Sequence, residues 1–263
     1  MSEFIETADM QTDALKAAVT WDIDNWNLRA PAEVGFWDRW ITGRGDKWPG
    51  DFRRRTDPDA PLTPLVLDLL PHLDLDRSRP VKMLDIGSGP LSYVGYTHPE
   101  YEIDLTVVDP LSQEYNRLLD SVGITGVPRT QPGYFETALA DFGPEAFDLV
   151  WCFNSLDHSI DPIIGLFNLL SVIRIGGGLI FSFCPNEAEH GKYKGLHQWN
   201  LDVTPQDGLI LTQMGRTVRL QGLIDQQRVV LRHVSDRNDK QKARATFMLR
   251  KVAHVNLSQA MLA

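Results

Sequence analysis

The chain has 263 residues, with 26 lysines and arginines against 35 acidic residues, for a net charge of −9. That balance opposes long-range attraction to phosphate backbones, so a nucleic-acid substrate is not expected. No apolar run approaches the roughly 20 residues that a membrane span requires, and the first residues lack the basic-then-apolar order of a secretory signal, so a cytoplasmic location away from membranes is expected.

The length suits one α/β domain with an N-terminal appendage. Residues 1–75 read as a helical, tryptophan-rich cap and residues 76–263 as the main domain. In the cap, Trp21, Trp26, Phe36, Trp37, Trp40 and Trp48 cluster. Pro31 suits the first turn of a short helix that places Phe36, Trp37, Trp40 and Ile41 on one face, ended by the Gly43 and Gly45 turn. Arg53, Arg54 and Arg55 form a short basic run, which reads as a solvated face or as a minor anion contact together with Arg44. Asp57 to Pro61 is a turn-rich linker, and Leu62 to Leu73 is a further expected helix.

From Val81 the pattern alternates strand, turn and helix, which predicts a parallel sheet with helices on both faces. Strands are expected near 81–86, 103–108, 128–133, 147–153 and 178–184. Helices are expected near 91–97, 111–121, 135–140 and 161–174, the last leaving through a turn over Arg174 to Gly178. Residues 206–214 are expected to be helical. Arg228 to Val234 and Ala243 to Val252 read as a hairpin around the polar turn Ser235 to Lys240, which would set an antiparallel strand in the sheet. Cys152 and Cys184 fall at strand ends, where a thiol behaves as a small apolar group. With no closely spaced ligand pair, neither a disulfide nor a metal is expected.

The chemistry concentrates after the first strand. Val81 to Ile86 contains Asp85 near its end and runs into Gly87, Ser88, Gly89 and Pro90. Glycines there let backbone approach a ligand closely. The second strand ends in Asp109 followed by Pro110, 24 positions after Asp85, where a βαβ unit puts a carboxylate beside ribose hydroxyls. A dinucleotide oxidoreductase shares these features. However, Ser92 stands where the third glycine of its fingerprint belongs, and Asp85 would lie against a pyrophosphate.

In order along the chain, Asp85-x-Gly87-x-Gly89, Asp109, Asp141-Phe142, the 146–158 segment and the Arg174 to Gly178 turn resemble a class I methyltransferase dependent on S-adenosylmethionine. The resemblance spans roughly residues 80–252. It implies an α/β, Rossmann-like, doubly wound and mostly parallel seven-stranded sheet with a C-terminal antiparallel hairpin strand. It also implies S-adenosylmethionine as cofactor and S-adenosylhomocysteine as product. Gly89-Pro90-Leu91-Ser92, Asn154-Ser155-Leu156-Asp157-His158, Gly195-Leu196-His197-Gln198-Trp199-Asn200 and the Phe36 to Trp40 segment are also similar to a little-characterised bacterial methyltransferase group. Some relatives of that group are linked to cell-surface sugar modification.

Under this resemblance Asp85 holds the amino-acid end of the cofactor, Gly87, Ser88 and Gly89 cradle it, and Asp109 and Pro110 meet its ribose. Asp141 and Phe142 meet its adenine, and Asn154 and Ser155 close over it. The acceptor is expected to be a small molecule or glycan, met by Trp37, Arg44, Tyr193, Trp199 and Asn200, with residues 185–204 as a lid. His197 and His158 are the candidate catalytic groups, because histidine can take a hydroxyl proton near neutral pH. A catalytically silent cofactor-binding scaffold is the alternative of a different class.

Overall fold

A computed structural model describes residues 22–213, 215–234 and 243–256. Trp21 and the Ser235 to Lys240 turn lie outside these residues. Helix α1 spans Ile23–Thr42 and is capped by Asp22, whose side chain accepts from the Asn25 amide. It begins eight residues before Pro31, the expected start, because Asp22 supplies the terminal acceptor and Pro31 is tolerated inside the helix. Helices α2 (Pro49–Thr56) and α3 (Pro64–Leu69) follow, and a 3₁₀ turn over Leu70–His72 extends α3.

The central sheet has six strands in the order β2-β1-β3-β4-β9-β8. These are β1 (Val81–Ile86), β2 (Ile103–Val108), β3 (Phe147–Phe153), β4 (Ile173–Phe183), β8 (Arg228–Val234) and β9 (Ala245–Arg250). The first four pair in parallel, whereas β9 runs antiparallel to both β4 and β8. Helices α4 (Ser112–Ser121), α5 (Ala138–Phe142) and α6 (Pro162–Val172) join the parallel strands.

Alternation along β1 explains the layering. Leu84 and Ile86 face one core with α6 residues Leu166, Leu169 and Leu170, while Val81 and Met83 face another with Val66, Leu69 and Leu70 of the α3 region. The sheet is therefore buried on both faces, as a parallel sheet requires.

Several expectations are corrected. The sheet has six strands rather than seven, because the 128–133 segment makes a single bridge, between Gln131 and Val108. Pro128 and Pro132 remove the amides that a longer pairing would use. Residues 91–97 form no helix. Instead Gly95, at φ +91, lies so close to residue 61 that an added Cβ would fall 2.2 Å from the Pro61 carbonyl oxygen.

The Arg174 to Gly178 stretch is not a turn but lies within β4, where a register shift against β3 absorbs it. The described part of the expected 206–214 helix, residues 206–213, is not helical either. Its alternating Leu209 and Leu211 point inward from β6 (Gly208–Gln213), the middle strand of a three-stranded antiparallel sheet with β5 (Asn200–Thr204) and β7 (Arg216–Arg219). The short helices α7 (Glu187–His190) and α8 (Gln221–Ile224) flank that sheet. Among the described residues, no helix is long and apolar enough to cross a membrane.

Leu169 is fully buried between α6 and the sheet. Leu169→Ala is expected to lower unfolding free energy by about 2–5 kcal/mol, through lost transfer energy and the cavity left behind. Urea denaturation followed by circular dichroism measures this.

Candidate active site

Ligands collect at the carboxyl ends of parallel strands, and a cavity of about 560 Å³ opens there. That volume lies within the range of small-molecule sites. Beyond β1 the chain turns through Gly87 and Gly89, at φ +68 and +66, conformations that side chains rarely adopt. An added Cβ on Gly87 would fall 2.4 Å from Ser155 Oγ, and one on Gly89 would fall 2.8 Å from the Trp37 ring. The glycines are thus required both by the turn and by the neighbours pressed against it.

Asp85 and Asp109 both line the cavity from the tips of adjacent strands. The Asp85 carboxylate accepts from Ser92 Oγ at 2.6 Å. Burial pushes its pKa up to about 7, against the opposing effects of the Ser92 bond and the Arg55 charge. Asp109 accepts from the Gly89 amide at 3.0 Å and from the Leu111 amide at 2.9 Å, which ties the two turns together. Burial raises it to about 6 despite those two bonds.

Helix α1 covers this floor. Trp26, Glu33, Phe36 and Trp37 line the cavity, and the Trp37 indole donates to Glu33 at 2.9 Å. Trp26 Nε1 donates to the His158 carbonyl at 2.8 Å, which fastens α1 to the loop beyond β3. Of the basic run, Arg55 turns inward. It pairs with Asp51, donates to the Leu91 carbonyl at 2.8 Å and lies over the Tyr93 ring at 5.1 Å. By sequence the run reads as mainly solvated, and the i,i+4 spacing from Asp51 to Arg55 is the signal that Arg55 is held in place.

A second wall is aromatic. Trp151 stacks on Phe153 at 5.2 Å, and Phe153 stacks on Tyr93 at 5.4 Å. Arg244 lies over Phe153 at 4.3 Å. His158 and His197 also reach the cavity, beside buried Asp157. His197 Nδ1 lies 2.6 Å from Asp157 Oδ2 and 3.0 Å from His158 Nε2. Burial alone would raise Asp157 and lower His197. The opposite holds for each, because the two imidazoles depress the carboxyl and the carboxylate lifts His197.

Most of the expected cofactor residues meet on this one cavity: Asp85, Gly87, Ser88, Gly89, Asp109, Pro110, Asn154 and Ser155, together with Trp37, His158 and His197. Asp141 and Phe142 do not. Asp141 lies in α5 and accepts from Thr137 Oγ1, and Phe142 packs edge-on against Phe147. The chain enters the cavity earlier, at Tyr134, Phe135 and Glu136, because the segment beside β2 leaves the sheet after one bridge.

Arg44 is exposed on the turn after α1 and is absent from the cavity wall. Tyr193, Trp199 and Asn200 hold their segment to itself and to the loop beyond β3. Asn200 Nδ2 donates to the Tyr193 hydroxyl, Trp199 Nε1 donates to the Ser159 carbonyl, and Asn200 Oδ1 accepts from the Glu189 amide. From the expected lid, Glu187, Leu196 and His197 reach the cavity.

No family model and no curated protein matches the sequence. Among solved structures, a chain of the complex between the Haloferax volcanii Trm112 methyltransferase activator and a methyltransferase is similar, with TM-score 0.52 and 12% identity. The match covers 86% of this chain and 99% of that one. The Burkholderia thailandensis 1,6-didemethyltoxoflavin-N1-methyltransferase, solved with 1,6-didemethyltoxoflavin and S-adenosylhomocysteine, is 18% identical with TM-score 0.47, covering 84% and 89%. A Clostridium acetobutylicum S-adenosylmethionine-dependent methyltransferase is 13% identical with TM-score 0.46, covering 81% and 97%. The fold is that of the class I S-adenosylmethionine-dependent methyltransferases.

Gly87→Ala is expected to cost about 1–3 kcal/mol from backbone strain alone, with the Ser155 clash added. A thermal melt of the ligand-free protein measures it.

Proposed function

We propose that this chain is a methyltransferase that uses S-adenosylmethionine, acts on a small-molecule or glycan-like acceptor at oxygen by in-line displacement, and leaves S-adenosylhomocysteine. The supporting observation is the convergence of Asp85 and Asp109 on one cavity from the tips of β1 and β2. The donor set suits the cofactor. Asp85 and Arg55 offer an acid and a guanidinium to an amino-acid ammonium and carboxylate. Asp109 keeps a lone pair on each oxygen for ribose hydroxyls after serving the Gly89 and Leu111 amides. Tyr134, Phe135 and Glu136 take the adenine end.

When bound, the cofactor supplies a methyl group made electrophilic by its sulfonium charge. The work left to the chain is alignment and exclusion of water. Helix α1 covers the floor. The Tyr93, Phe153 and Trp151 stack, with Arg244 above it, receives a planar or sugar-like acceptor that carries negative charge. His158 and His197, which line the same cavity, act on the acceptor oxygen.

Calorimetric titration with S-adenosylmethionine, S-adenosylhomocysteine and NAD tests the reading. Both sulfur compounds are expected to bind, and binding of NAD alone would overturn it. Asp109→Ala is expected to weaken cofactor binding. His197→Ala is expected to leave binding near normal and to slow turnover by about 10²–10⁴-fold. Equal loss of cofactor affinity in both variants would remove His197 from the acceptor side.

Asp85 also makes binding depend on pH. Its folded pKa, near 7, exceeds the ordinary carboxylate value, so the ligand-free protein takes up a proton on folding and loses that stabilisation as pH rises through 7. The cofactor ammonium favours the ionised acid. Affinity is therefore expected to rise as pH rises toward 7 and to level off above it, with proton release on binding below that point. Asp85→Asn should flatten that window. Calorimetry in buffers of different ionisation enthalpy measures the proton.

A further inference from the structure

The geometry points to a divalent first-row transition-metal site formed by Asp157, His158 and His197 on the acceptor side of the cavity. The inference deepens the methyl-transfer reading and rests on it only for the use made of the ion. Three Lewis-basic atoms from two distant segments converge there: Asp157 Oδ2 and His197 Nδ1 are 2.6 Å apart, His197 Nδ1 and His158 Nε2 are 3.0 Å apart, and His158 Nε2 and Asp157 Oδ2 are 3.8 Å apart. Ligands held at about 2.1 Å from one ion, at octahedral to tetrahedral angles, lie about 3.0–3.4 Å from one another, so the 3.0 Å separation already fits, while the 2.6 Å pair must open and the 3.8 Å pair close by about 0.4 Å each.

A proton network accounts for the cluster poorly. An imidazole nitrogen carries either one hydrogen or one lone pair. If protonated, His197 Nδ1 must share a single hydrogen between the Asp157 carboxylate and the His158 nitrogen. If unprotonated, it sets its lone pair against the carboxylate. An ion at the centre satisfies all three atoms at once. An independent sign lies on the same carboxylate: Asp157 Oδ1 is buried with no hydrogen-bond partner, although the residue is only 4% exposed. Burying such an acceptor without a partner is costly, and charge neutralisation by an ion removes much of that cost.

Two imidazoles and one carboxylate form a donor set of the transition-metal type, since magnesium and calcium favour all-oxygen shells. Three protein ligands leave positions open, and His158 and His197 both face the cavity. An acceptor hydroxyl taking an open position would be polarised and would lose its proton to bulk water more readily. The resulting oxygen is the nucleophile that the proposed function requires. Metal bound there replaces the histidines' direct proton transfer with Lewis-acid activation.

The test uses the full chain after chelator treatment and dialysis. Titration with Co²⁺, followed by visible absorption, and with Zn²⁺, followed by calorimetry, is expected to show one equivalent bound. His158→Ala, His197→Ala and Asp157→Asn are each expected to weaken that binding at least tenfold. His197, the most exposed of the three, serves as the variant whose folding is least at risk, and thermal melting checks each protein. No binding by the wild type, or binding unchanged in a folded His197→Ala protein, overturns the site. S-adenosylhomocysteine titrated into the same samples separates the two ideas. Normal nucleoside binding without metal binding removes the ion alone, whereas metal binding without nucleoside binding removes the methyl-transfer reading.

Discussion

Two carboxylates buried at adjacent strand tips are the constraint around which the rest of this molecule is arranged. Carboxylates out of water are costly, and the fold offsets that cost locally. Asp109 takes two backbone amides, Asp85 takes the Ser92 hydroxyl, and the Arg55 charge acts on Asp85 from α2. These contacts do not restore ordinary acidity, since both acids stay above the usual carboxylate range. The shortfall leaves the cavity disposed toward a ligand that brings its own positive charge and hydroxyl groups.

The cap and the sheet divide the site between them. The sheet supplies the acids and the stacked aromatic wall, while α1 supplies the cover, with Trp37 against Gly89 and Trp26 bonded to the His158 carbonyl. The histidine corner of the cavity is built from the 3₁₀ turn over Leu156–His158 and from the loop before β5, which bring Asp157 and His197 together across 40 positions of sequence.

The legible parts of the sequence were those governed by local pattern. The runs of β1 and β2 alternate at their starts, β3 is apolar almost throughout, and their ends carry Asp85, Asp109 and the Asn154-Ser155 pair, so this part of the cavity wall is legible from neighbouring residues. The illegible parts depended on contacts distant in sequence. Leu91 and Val94 look helical, yet the chain there is pinned to Pro61. Leu209 and Leu211 suit a helix or a strand equally, and only pairing with β5 and β7 decides for a strand. Asp141, which the family resemblance implies as an adenine contact, sits beyond the point where Tyr134 to Glu136 enter the cavity. Asp157 carried no signal of its own, because its partner His197 belongs to another segment.

The bond from Trp26 to the His158 carbonyl couples the N-terminal helix to the loop beyond β3. It ties two segments 132 positions apart, so the placing of the His158 backbone depends on the seating of α1, and a substitution that shifts that helix is felt at the far end of the cavity without touching it.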